Sequence, residues 1–135
     1  MSSAQTAIAT IAAGTTILIP SGPSGHHLFV SIFEVRQIDG KLKLLLAPIE
    51  TQVPKHETTC MLISGDHEFV KHPSFIGYRH CRIEDLDHVL RCINSGVYKC
   101  DGKPISAGLL ERIKSGYKES KRIPKYIRAD WGEVL

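Results

Sequence analysis

Asp39-Gly40 restricts this chain more than any other pair of residues. It separates two apolar runs, 28–38 and 42–49, and both residue types accept the positive φ that a two-residue hairpin turn demands. In the first run Leu28, Val30 and Ile32 alternate with Phe29, Ser31 and Phe33, the period of a strand with two distinct faces. A β-branched run at 15–19 precedes it, stopped by Pro20-Ser21-Gly22-Pro23-Ser24-Gly25. Another at 58–64 follows, turned by Gly65-Asp66, and 75–83 returns as strand at its end. Helical spacing enters only in the last third. Leu86, Val89, Leu90 and Ile93 fall at i, i+3, i+4 and i+7 behind Glu84 and Asp85, where a helix dipole favours acids, and Ser95-Gly96 closes that helix. Ser106 suits the N-cap of a second helix in which Leu109, Leu110 and Ile113 share a face and Gly116 supplies the stop. Strands first and helices later, joined by hairpins, indicate the α+β class: a small antiparallel barrel or sheet with two helices in the C-terminal half.

A chain of 135 residues supports one domain, and 42% hydrophobic with 23% charged residues is enough to build its core without disulfides. No apolar run approaches the roughly 18 residues needed to cross a bilayer, so no membrane association is expected. Residues 1–13 have no Lys or Arg and read as a short helix or leader rather than a signal peptide. The domain proper is expected over 14–118, with 119–135 as a basic, aromatic tail. Seventeen basic against fourteen acidic residues leave a net charge of +3, which permits a nucleic-acid partner without requiring one. The cysteines Cys60, Cys81, Cys92 and Cys100 form no CxxC pair and read as reduced, mostly buried thiols of a cytoplasmic protein.

Seven histidines, five of them between His56 and His88, raise the question of a metal site. His88 and Cys92 stand four apart on the first expected helix, and His67 and His72 could join them, but no compact ligand pair such as CxxC or HxxxH exists. No metal or other cofactor is expected. His80 and Cys81 are neighbours, and on a strand they would point to opposite faces and form no thiol–imidazole pair. The loop 21–27 lacks the Lys of a phosphate-cradling P-loop, but it delivers His26 and His27 to the start of a strand. Imidazoles are the natural acid/base groups near neutral pH. In the tail, Lys121, Arg122, Lys125 and Arg128 interleave with Tyr117, Tyr126 and Trp131, a pattern that can follow a nucleic-acid backbone, serve as a solvated face, or dock a protein.

The order of these features resembles the MazF/PemK-like toxin family. The resemblance rests on 14–19, the strand 27–32, the run 44–51, Ser74-Phe75-Ile76-Gly77-Tyr78, and the helices around 86–93 and 109–113. It implies an SH3-like barrel decorated with helices, homodimerisation, an antitoxin or other protein partner, and metal-independent cleavage of single-stranded RNA in a toxin-type or defence role. The family's Arg at the start of the second strand and Ser or Thr after the third match His27 and Thr51. His in place of Arg exchanges a permanent forked phosphate donor for a titratable group. His26 and His27 would then supply acid and base, with Thr51, Lys55 or Arg79 steadying the phosphate and Lys121 and Arg122 extending the RNA contact. The alternative is a barrel without catalysis that docks a partner protein.

Overall fold

The strand Lys41–Thr51 (β4) organises the molecule. The computed structural model describes residues 11–21 and 25–132, and in it every other long pairing is made to this strand or to its immediate neighbours. Along one edge β4 pairs with β3 (Arg36–Ile38) through residues 41–43 and with β2 (His26–Ser31) through 46–49. Along the other it pairs with β7 (Arg82–Asp85) through 43–46 and with β6 (Ser74–Ile76) through 49–51. β1 (Thr16–Pro20) extends the sheet beyond β2, and β5 (Met61–Leu62) extends it beyond β6. All pairings are antiparallel. The Asp39-Gly40 turn joins β3 to β4 with φ of 52° and 80°, the doubly positive geometry expected of it.

Eleven residues suffice for β4 to bury both faces. Leu44 and Leu46 join Ile17, Ile19 and Phe29 under helix α1 (Leu86–Asn94), which contributes Leu86, Val89 and Leu90. Leu45, Ala47 and Ile49 point the other way, to Leu28, Val30 and the helices α2 (Ala107–Glu119) and α3 (Lys125–Trp131). The protein is therefore an α+β fold with helices on both faces of an antiparallel, seven-stranded sheet. The Ser106 hydroxyl caps α2 by accepting from the Leu109 amide at 3.2 Å.

Gly116 does not stop α2, which runs through it to Glu119. Two further expectations need correction. The sheet is not a closed barrel: among the described residues its path ends at β1 and β5, which do not pair with each other. Each end is satisfied elsewhere. Leu18 exchanges amide–carbonyl bonds with Lys99 at 2.7 and 3.0 Å, the Arg112 side chain donates to the Met61 carbonyl, and the Ile63 amide donates to Asp66 at 2.8 Å. Edges capped in this way have few free groups left with which to close on one another. The second correction concerns 119–132, residues 133–135 lying outside the described ones. It is no tail, because Ile123, Ile127 and Trp131 are buried in the main core and 125–131 is a third helix. Phe33 stacks on Trp131 at 6.2 Å and meets Tyr117 edge-on at 5.2 Å. Of the leader, 1–10 lies outside the described residues, while Ile11 is buried beneath α1.

Trp131→Ala is expected to destabilise the protein by about 3–5 kcal/mol in urea unfolding, the cost of deleting a buried indole. Trp131→Phe is expected to cost far less, since the buried Nε1 has no hydrogen-bond partner among the described residues. A second expectation concerns alkaline pH. Burial pushes the Cys60 and Cys81 thiols and the Tyr78 phenol up. Unfolded, thiols ionise near pH 8.5, so these groups contribute fully below that value, and the contribution is lost as pH rises. The urea midpoint should fall between pH 8 and 10, and fall less steeply in Cys81→Ala.

Candidate active site

The register of β2 on β4 gathers one set of polar side chains on the α1 side of the sheet, past the end of the helix-covered core. His27 and Phe29 from β2, Pro48 and Glu50 from β4, His80, Arg82 from β7, and Ser21 after β1 line a cleft of about 370 Å³. Phe29 lies opposite Pro48 and Leu28 opposite Ile49, which brings the ends of the two strands side by side.

Each polar group in the cleft has a partner that orients it. Ser21 Oγ is hydrogen-bonded to His27 Nδ1. His80 donates from Nδ1 to Glu50 Oε2 at 2.8 Å, which leaves Nε2 as the free ring nitrogen. The Arg82 guanidinium lies over the Phe29 ring, 4.5 Å from its centroid, and pairs with Glu84 by charge, Nε 3.0 Å from Oε2 but without hydrogen-bond geometry. The Tyr98 hydroxyl donates to Glu84 Oε1 at 3.0 Å, so the carboxylate that steadies Arg82 is itself held. Burial first, and then the charge of Glu84, push the Tyr98 hydroxyl up to about 12, so it remains a donor at every physiological pH.

Glycine at 77 makes the Glu50–His80 pair sterically feasible. The Gly77 amide donates to the Pro48 carbonyl at 3.0 Å and draws the 3-10 turn Tyr78–His80 onto β4. A Cβ there would sit 1.6 Å from Glu50 Oε2. Two imidazoles, a guanidinium, a carboxylate and a hydroxyl around one open cleft are a set that can move protons while holding an anion.

Of the residues expected from the sequence to form the site, only His27 lies in this cleft. His27 and Thr51 are not brought together. Thr51 is two residues beyond Ile49 on the α2/α3 face of β4, and it lines a separate hollow with Phe69, Lys71 and His72. His26 is exposed and alternates away from His27 along β2. Lys55 is exposed in the loop after β4 with φ of 65°, and Arg79 is exposed one residue before His80. Lys121 and Arg122 are exposed between α2 and α3, in the layer covering the face opposite the cleft.

Glu50, His80 and Arg82 are the site residues that sequence reasoning missed. Glu50 was accessible in principle, since it continues the even-numbered face of Leu44 and Leu46. His80 reads in the sequence only as the neighbour of Cys81; the two diverge, but from a 3-10 turn, with Cys81 buried and His80 exposed. Arg82 carried no local signal. Among the described residues no group of three His, Cys, Asp or Glu is placed to hold a metal, so His67, His72, His88 and Cys92 form no such site. Only His88 and Cys92 meet, at 3.6 Å, while His67 is buried against the Lys103 carbonyl at 2.6 Å. No helix among the described residues is long and apolar enough to cross a membrane.

Searches against protein-family models, curated proteins and solved structures find no match for this chain. The functional reading therefore stands on the cleft and on the sequence.

Gly77→Ala is expected to push the flexible Glu50 carboxylate off His80 and cost about 1 kcal/mol, the loss of that hydrogen bond. Adding Glu50→Ala should cost little more, because that hydrogen bond is already gone. A double-mutant cycle by urea denaturation reads the coupling, which should be at least 0.5 kcal/mol if the two side chains collide.

Proposed function

We propose that this chain is an RNA-acting protein of the toxin or defence type, a metal-independent endoribonuclease using the His27–Glu50–His80–Arg82 cleft. The observation that carries this reading is the pairing of two separately oriented imidazoles with a guanidinium in a single cleft. The MazF/PemK-like resemblance supplies RNA as substrate class, an open relative of the SH3-like barrel as fold, and an antitoxin-type partner in the cytoplasm. The guanidinium that His27 replaces in the family pattern has a counterpart in Arg82, contributed by a different strand.

The chemistry follows from the orientations. Glu50 accepts from His80 Nδ1, so Nε2 is available to take the proton of a ribose 2′-hydroxyl. The 2′-oxygen then forms a bond to phosphorus and the P–O5′ bond breaks. His27 acts as the imidazolium, its Nδ1–H donating to Ser21 Oγ; it gives the Nε2 proton to the departing 5′-oxygen and is left neutral. Arg82 stabilises the extra negative charge on the phosphorane oxygens. The products are a 2′,3′-cyclic phosphate and a 5′-hydroxyl, with no net proton change.

Purified protein is expected to cleave a mixed single-stranded RNA in EDTA with a bell-shaped pH dependence, leaving cyclic phosphate ends detectable by mass spectrometry. His27→Ala and His80→Ala should each lower kcat by about 10²- to 10⁴-fold, while His88→Ala should not. Failure of the wild type to cut any RNA between pH 5 and 8 would remove the nuclease reading and leave the docking module.

A further inference from the structure

The face of β4 opposite the cleft holds a second feature, around Thr51. Two hollows of about 360 and 400 Å³ adjoin there and share Glu68, Phe69 and Lys71. Leu18, Leu28 and Lys99 line one, and Ile49 and His72 the other. Phe69 lines both hollows and is 46% exposed, although the next residue, Val70, is buried in the core.

The backbone that presents Phe69 is tied down. Its amide donates to His67 Nδ1 at 3.1 Å, and the buried His67 ring donates from Nε2 to the Lys103 carbonyl at 2.6 Å. An aromatic ring fixed at its root but uncovered at its face is a pre-organised platform that loses little entropy when stacked. The charges around it are Lys71, Lys99 and His72 against Glu68 and Asp101. Glu68 is already engaged, since Oε1 accepts from the Lys103 amide at 3.0 Å.

We infer that this paired hollow binds single-stranded RNA flanking the cleavage point, with bases stacking on Phe69 and phosphates meeting Lys71 and Lys99. The inference rests on the RNA reading above and adds the path of the substrate. Glu50 in the cleft and Thr51 in the hollow are consecutive residues of β4, and His27 and His26 are likewise consecutive in β2. A strand leaving the cleft at these ends crosses only the thickness of one sheet, on the order of 10 Å, to reach Phe69. Alternating cations and an aromatic face bind single strands with little sequence preference, because every base offers a π-face.

Fluorescence anisotropy with a 5′-fluorescein single-stranded RNA of about twelve nucleotides tests this, with circular dichroism as a folding control. Phe69→Ala is expected to weaken binding by about 5- to 100-fold, the range of one lost stacking contact. Lys71→Gln with Lys99→Gln should reduce the slope of log affinity against log salt by about 1.4, from roughly 0.7 per phosphate contact. Leu42→Ala, an exposed apolar change elsewhere, should alter neither. Unchanged affinity in Phe69→Ala, in a protein that still cleaves RNA, overturns the groove and spares the function. A wild type that neither binds nor cleaves RNA overturns both.

Discussion

Two-sided burial of β4 is the constraint on which the rest depends. Leu44 and Leu46 are fully buried on one side and Leu45 and Ala47 on the other, so the strand has no face it can give to solvent. A one-residue slip would exchange the two sets and push each against the wrong helix layer. Four other strands pair directly with β4, so their registers are held by the same burial. The direction of Glu50 follows from it as well. The same slip would turn Glu50 away from His80.

The cleft sits where this burial runs out. β4 passes from fully buried Ala47 to exposed Thr51 within four residues, and β2 passes from buried Leu28 to exposed His26 in two. Rigid strand interiors thus hold polar residues at their solvent-facing ends, which gives defined orientation without the cost of burying charge. Oriented partners complete the arrangement. Phe29 lies under Arg82, Glu84 and Tyr98 steady it from behind, and the bare backbone at Gly77 makes room for the Glu50–His80 bond.

Much of the secondary structure was legible because it rests on local rules. Asp39-Gly40 predicted its hairpin, Ser106 its cap, and the 86–93 spacing its helix. Helix α3 was missed although Ile123, Ile127 and Trp131 recur every four residues across Pro124, which stands at the helix start. The basic residues between them read as a solvated or RNA-binding surface, when three apolar side chains were anchoring the segment. Barrel closure was equally out of reach, since it turns on what Lys99 and Arg112 bond to across long separations in sequence.

What the sequence determined by itself was the α+β class, the main turn and two of the helices, all consequences of short-range periodicity and backbone preference. Only the tertiary structure decided which side chains share a site. His27 and Thr51 were joined by their order along the chain, but strand pairing gave His27 to Glu50, His80 and Arg82 and sent Thr51 to the opposite face. The physical reason is the two-residue period of a β-strand. Whether position 50 or 51 faces a given neighbour depends on register, and register is set by how the distant halves of the chain bury β4.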